Sequence, residues 1–228
     1  NIARIIFDNV EESTPGSKIN TAVELYLATG EAKYFDYLIK NWDAVVKAAA
    51  RQPWCTARFA KIIDGQKKYQ KQAKAYRAAL EEYKASIESQ ATSSPYGVPY
   101  RPSIWGAGWT IQSFGYNYWF AYNSFPDIFS PDPIFNALNF VLGCHPGTNQ
   151  QSFASGVGAQ SATVGYGLNR ADWSYVPGGV VSGTALIRPD FPELLVWPYL
   201  WQQVEYVLGG GSSHYMFLVL ASRKLLQQ

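Results

Sequence analysis

The chain has 228 residues, with 19 basic and 17 acidic side chains and a formal charge of +2, so composition gives no electrostatic case for nucleic acid or an anionic membrane surface as partner. Its apolar content suits a folded core rather than a disordered chain, and no apolar run nears the roughly twenty residues of a membrane span. Aromatic side chains make up 16 %, eight of them Trp, and flat rings with a polar edge suit stacking on sugar faces as well as core packing.

Cys55 and Cys144 show no CxxC spacing, and with only His145 and His214 beside them they define no metal site; whether the two cysteines pair stays open. The sequence begins at Asn1 without a cleavable signal, and the expectation is a processed or truncated chain.

The first periodic stretch is INTAVELYLATGEAKYFDYLIKNWDAVVKAAA. Apolar residues recur at helical spacing at Ile19, Val23 and Leu27, then at Tyr34, Leu38, Trp42, Val45 and Ala49. Gly30 between them supplies a left-handed helix end and Glu31 the favourable charge for a helix start, so the spacing predicts a helical hairpin. A third helix is expected around Cys55 to Ile63, ended by Asp64-Gly65. From Gln66 to Gln90, the residues Tyr69, Tyr76, Leu80, Tyr83 and Ile87 fall on one side of a long amphipathic helix. Its lysines read more simply as a solvated face than as a nucleic-acid patch, since acids interleave after Leu80.

The polar stretch Ala91 to Ser103 reads as a loop with three prolines. WGAGWTIQSFGYNYWFAYNSFP is too densely apolar for a surface helix and is expected to be buried on most sides. In PIFNALNFVLGCHPG, Pro133 suits a first helical turn, while Gly143 and Pro146 stop the helix. From His145 to about Pro198 the period dissolves into a glycine-rich, aromatic stretch of little net charge. Loops beyond roughly 12–15 residues in a compact domain tend to be functional or disordered, and this composition points to an ordered loop shaped around something. Helix returns over Trp201 to Leu208 and Ser213 to Leu226, with a break or kink at Gly209-Gly210-Gly211. Helix pairs joined by short turns, with long loops collected at one end, describe an all-α fold, an α/α toroid or a helical solenoid. No exact repeat favours a consensus solenoid.

Three segments carry a family resemblance. Leu142-Gly143-Cys144-His145-Pro146 leads into Ser152-Phe153-Ala154-Ser155-Gly156-Val157-Gly158; PGGVVSGTALIRPDFPE follows; VEYVLGGGSSHYMFLVLA closes the series. In this order they resemble the C-terminal portion of the catalytic domain of glycoside hydrolase family 9, the inverting cellulase-like enzymes. The resemblance is specific over about Pro133 to Ala221 and rests on hairpin pattern alone over Ile19 to Pro126. It implies an (α/α)6 toroid of the six-hairpin glycosidase type, with residues 1–228 forming its C-terminal part: hairpins over 18–132, a motif-bearing part over 133–228 and an active-site loop over 145–198.

The resemblance also implies a site. The family's general acid falls on Glu205, which stands among Trp201, Val204, Tyr206, Val207 and Leu208. An apolar setting raises a carboxyl pKa and keeps an acid protonated. Val204 replaces the Asn that precedes the acid in the family. Gly167-Leu168-Asn169-Arg170-Ala171-Asp172 stands where the family has a paired-His-Arg motif, so only Arg170 carries over. Arg170 suits sugar hydroxyls, a pairing with Glu205 as a structural carboxylate, or a loop anchor, and Asp172 beside Trp173 suits either a sugar contact or a capped turn. Trp105, Trp109, Tyr116, Trp119, Tyr175 and Trp201 are candidate sugar platforms, with core packing the alternative for each. The two-aspartate motif that supplies the family's base does not occur in this sequence, which places the base outside this chain.

The expected activity is hydrolysis of β-1,4-linked glucans or cello-oligosaccharides with inversion, as in polysaccharide degradation by cellulases. The alternative is a catalytically inactive carbohydrate-binding or scaffold toroid. The partners implied are an oligo- or polysaccharide and the N-terminal remainder of the same catalytic domain, with no nucleic acid and no membrane. No cofactor is implied; structural calcium held by backbone carbonyls stays open. The family points to a secreted or periplasmic protein.

Overall fold

The computed structural model describes residues 2–100, 106–145, 151–158, 160–161, 177–180 and 210–227. Among these residues the fold is all-α, with nine α-helices and one two-residue parallel pairing, and it divides into two compact units. The first holds residues 1–86 and 120–130, the second residues 87–119 and 131–228.

The first unit is built on α1 (Ile2–Asn9), α2 (Ile19–Thr29), α3 (Ala32–Lys40), α4 (Trp42–Ala49), α5 (Thr56–Ile63), a 3-10 turn at Lys67–Tyr69 and the first part of α6 (Gln70–Thr92). The hairpin predicted at Gly30 is present. Gly30 adopts φ +69°, its N–H closes α2 on the Tyr26 carbonyl, and α3 starts directly after Glu31. An L side chain at that φ is strained, which is why the turn needs glycine. In α2 the buried face is Ile19, Ala22, Val23 and Leu25, and the predicted stripe residue Leu27 is 39 % exposed. Steps of four drift 40° per residue pair around a helix of 3.6 residues per turn, which carries Leu27 off the face that Ile19 begins.

The second predicted stripe forms two helices rather than one. The break is at Asn41, whose backbone N–H and side-chain Nδ2 both donate to the Tyr37 carbonyl, at 3.0 and 2.9 Å. Asn41 leaves helical geometry at φ −101° and ψ 32°, and its amide adds a second donor to the Tyr37 carbonyl at the end of α3. The apolar stripe survives the break, and Tyr34, Leu38, Trp42, Val45 and Ala49 are all buried. Trp42 meets Phe59 of α5 and Tyr76 of α6 at ring-centroid distances of 6.4 and 5.9 Å, and Ile63 and Leu80 are fully buried; each fully buried large side chain contributes about 1.5–3 kcal/mol. Two polar contacts hold in this core, Thr56 Oγ1 lying 2.8 Å from Tyr76 Oη and Trp42 Nε1 donating to the Gln72 carbonyl at 3.1 Å, whereas the buried Tyr34 hydroxyl has no hydrogen-bond partner among the described residues. The sequence reading offered no element before Ile19. There α1 lays Phe7 edge-on against Tyr34 and Tyr37 while Ile2, Ile5 and Ile6 stay exposed.

In the second unit the predicted buried helix is α7 (Ala107–Ser124), of which residues 107–119 belong here. Only Trp109 and Thr110 of that stretch are exposed. Around it stand α8 (Asp132–Val141), with Pro133 in its first turn as expected, and α9 (Gly210–Leu225). Gly115 makes the close approach here: a Cβ at that position would stand 2.7 Å from Ala137 Cβ and 3.0 Å from Leu218 Cδ1. Tyr96, Tyr100 and Phe140 pack as a ring cluster, and Asn136 Nδ2 donates to the Gly97 carbonyl at 3.2 Å.

Candidate functional site

The second unit brings two of the three motif segments into direct hydrogen-bonded contact. Helix α8 ends in a Schellman motif: Cys144 N–H donates to the Asn139 carbonyl at 2.9 Å and Gly143 N–H to the Phe140 carbonyl at 3.3 Å, with Gly143 at φ +125°. Phe153 N–H then donates to the Val141 carbonyl at 2.8 Å, which brings the Ser-Phe segment back over the helix end. Ser152 Oγ, fully buried, donates to the Ala154 carbonyl at 2.9 Å and accepts from Ala154 N–H at 3.0 Å. Gly158 sits at φ +83°, where a Cβ would meet Ser152 Cβ at 2.7 Å and the Leu142 carbonyl oxygen at 2.8 Å. The Leu-Gly turn, the serine and the last glycine of the motif therefore form one close-packed piece that has no room for a side chain at Gly158.

That piece is tied to the Pro-Gly-Gly segment. Ser155 N–H donates to the Gly179 carbonyl at 2.8 Å, Gly178 N–H donates to the Ser155 carbonyl at 2.9 Å, and Ala154 bridges Val180 in antiparallel sense. β1 (Gln151–Ser152) pairs in parallel with β2 (Gln160–Ser161). Phe153 holds the loop on the helices: its ring stacks on the buried His145 at 4.5 Å and 13°, and it fills the space over Gly108, where a Cβ would stand 2.5 Å from Phe153 Cδ2.

Beside this loop, α7 and α9 share a polar and aromatic seam. Gln112, wholly buried, donates from Nε2 to the Gly211 carbonyl at 2.7 Å, and its Oε1 is buried without a hydrogen-bond partner. Ser113 Oγ and His214 Nδ1 lie 3.0 Å apart. Burial holds His214 below the ordinary imidazole pKa, so its neutral form is favoured. Tyr116 stacks on the His214 ring at 4.6 Å, and Trp119 meets Phe217 edge-on at 5.2 Å with the Lys224 ammonium over its face. Tyr116 and Trp119, named as sugar platforms, thus carry ring contacts of the α7–α9 packing. Gln112, Ser113 and His214 were not singled out as a group from sequence. Their signal was available as polar residues on an otherwise apolar helix, one position apart at Gln112 and Ser113 and a turn before Tyr116.

Of the predicted site residues, Trp109 is described, and it is 37 % exposed on the first turns of α7. Glu205, Arg170, Asp172, Trp173, Tyr175, Trp201 and Trp105 lie outside the described residues, as does most of the predicted loop 145–198. Helix α9 is described from Gly210, three residues before the expected start at Ser213, and Gly209 lies outside the described residues. Gly211 is buried and its carbonyl accepts the Gln112 hydrogen bond, a close approach of backbone to α7.

Cys55 and Cys144 are free thiols, the first buried and the second exposed. Among the described residues no three His, Cys, Asp or Glu side chains are grouped to hold a metal ion, and no helix is long and apolar enough to cross a membrane. No family model, curated protein or solved structure matches this chain.

Proposed function

We propose that the chain is the C-terminal part of an (α/α)6 toroid that hydrolyses β-1,4-linked glucans or cello-oligosaccharides with inversion, as the resemblance to glycoside hydrolase family 9 implies. What carries the reading is the pairing of Ser155 with Gly178 and Gly179, which joins the Leu-Gly/Ser-Phe segment to the Pro-Gly-Gly segment. Two stretches singled out for one family's site, well separated in sequence, are neighbours in the fold, and the helix of the third stretch is packed against α8.

In this proposal Glu205 protonates the leaving glycosidic oxygen, and an aspartate contributed from outside this sequence activates water on the opposite sugar face. The two carboxyls of such a pair stand about 6.5–9.5 Å apart. Trp201 and Tyr206 are the kind of neighbours that keep an acid protonated. Arg170, Asp172, Trp173, Tyr175, Trp201, Trp105 and Trp109 are the proposed sugar contacts, and secretion or a periplasmic location goes with a polysaccharide substrate. The hydrogen bond from Gln112 fixes the start of α9, five residues after Glu205 in sequence.

The test compares wild type with Glu205→Gln on cello-oligosaccharides in the protein that also carries the aspartate base. A loss of more than about a hundredfold, the scale of an acid or base group, supports the reading. An unchanged rate ends it, and sugar binding without hydrolysis in the wild type identifies a silent carbohydrate-binding toroid instead.

A further inference from the structure

The first unit holds a cleft of about 600 Å³, lined by the Asp64–Lys67 turn and by Gln70, Lys74 and Arg77 of α6. It lies in the most basic stretch of the chain: from Lys61 to Arg77 there are six basic side chains and one acid, Asp64. The sequence alone reads these lysines as a solvated helix face. The fold separates them into two groups. Lys68 and Lys71 do not line the cleft, while Lys67, Lys74 and Arg77 do.

The ion pairs decide which charges in the cleft remain available. Arg77 donates from Nε and one terminal nitrogen to both oxygens of Asp64, at 2.9 and 2.7 Å, and from the other terminal nitrogen to Asp127 at 2.6 Å. The single acid of the lining is thereby neutralised, and Arg77 becomes part of the wall. Lys67 and Lys74 have no carboxylate within ion-pairing distance among the described residues. The concavity therefore presents two uncompensated ammonium groups. Seven residues apart, one on the 3-10 turn and the other on α6, they are separated by roughly 12 Å of helical rise. The Gln70 carboxamide lies between them in sequence, and Gly65 at φ +82° turns the chain from α5 into the 3-10 turn that carries Lys67. A volume of this size suits a small-molecule ligand, and the spacing suits an extended molecule with an anionic group at each end better than a single inorganic ion.

We propose that this cleft binds a doubly charged organic anion of about disaccharide size, held at one end by Lys67 and at the other by Lys74. The anionic groups are carboxylates of an acidic sugar or phosphates of a sugar ester, the chemistry at the two ammonium groups being the same. The site is independent of the glycosidase reading and lies in a different unit from the motif segments.

Calorimetric titration of the full chain at low ionic strength tests it, with digalacturonate and a hexose bisphosphate as the two arms, neutral cellobiose as the uncharged control and a single-stranded DNA oligonucleotide as the polyanion. The expected result is saturable one-to-one binding of at least one arm, weakened about tenfold or more in Lys67→Gln/Lys74→Gln and unchanged in Lys71→Gln, which removes charge from the same helix outside the cleft. The arm that binds more tightly identifies carboxylate or phosphate as the source. Thermal melting of each variant shows that the fold is retained, since all three lysines are exposed. Absence of binding by both arms overturns the proposal. So does equal weakening by Lys71→Gln, or tight DNA binding with the small anions silent, either of which makes the segment a diffuse polyanion surface.

Discussion

Gln112 on α7 donates a 2.7 Å hydrogen bond to the carbonyl of Gly211, in the first turn of α9, from a position with no solvent exposure. The orientation of the carboxamide is fixed by that bond, since the reverse would set two carbonyl oxygens against each other, and Oε1 is left buried without a partner. A buried orphan acceptor is retained at a cost. The positioning of Gly211 is therefore what the residue contributes. Gln112→Ala removes the bond and opens a small void, and the expected loss of stability is about 1–2 kcal/mol after relief of the orphan oxygen. Urea denaturation measures it, and a variant as stable as wild type contradicts the anchoring role.

Gly115 marks a close approach of helices α7, α8 and α9 within the second unit. Gly115→Ala drives a Cβ to 2.7 Å from Ala137 Cβ, and overpacking of this kind costs about 1–3 kcal/mol. Ala137→Gly made together with it removes the Ala137 clash, leaving the Leu218 methyls at 3.0 and 3.3 Å to give way. The double variant is expected to be more stable than the sum of the two single losses, by a coupling energy that a double-mutant cycle reads directly. Simple additivity would show that the two positions do not meet.

Arg77 holds Asp64 and Asp127 below the usual carboxylate pKa through its hydrogen bonds to both. Because both folded pKa values lie below the unfolded ones, the stabilisation is complete above about pH 4 and is lost as pH falls through the depressed folded values. Arg77→Gln is expected to cost about 1–2 kcal/mol at neutral pH. Most of this comes from Asp64, whose side chain is 15 % exposed, since Asp127 at 56 % is screened by solvent. The gap between variant and wild type should close in melts taken well below pH 4, and a gap that stays constant with pH contradicts the assignment.

The two thiols should differ in reactivity. Burial pushes the Cys55 thiol up to about 11, and its Sγ faces the Asn20 carbonyl at 3.6 Å, whereas Cys144 is exposed. The thiolate is the reactive form. A disulfide reagent is therefore expected to modify one thiol in the native protein and two after unfolding, and Cys144→Ser should abolish the native reaction. Rapid labelling of both in the native state contradicts the burial of Cys55.

Much of the helical frame is legible in the sequence, because single residues with strong local preferences mark its ends: Gly30 and Gly65 at positive φ, Pro133 in a first turn, Gly143 in a Schellman end. The buried face of α6 at Tyr76, Leu80, Tyr83 and Ile87 follows from the same 3.6-residue period. Where tertiary contacts decide, the pattern is silent. At Asn41 the backbone leaves helical geometry while both new helices keep the same apolar stripe, so periodicity registers no break. α9 extends back to Gly210 because α7 supplies a buried partner for Gly211, a long-range contact that three glycines in a row conceal. The site is legible only as motifs. Gly158 and Ser152 show why these residue types are required, since the Leu142 carbonyl leaves no space for a Cβ, whereas the proposed acid Glu205 lies outside the described residues.

The most direct measurement for the proposed chemistry is the leaving-group dependence of Glu205→Gln in the protein that carries the base. A general acid is needed only where the departing oxygen is basic. The variant should lose more than about a hundredfold on cello-oligosaccharides, yet keep most of its rate on a dinitrophenyl cellobioside, whose leaving group departs without a proton. Equal losses on both substrates, or no loss on either, would contradict a proton-donating Glu205.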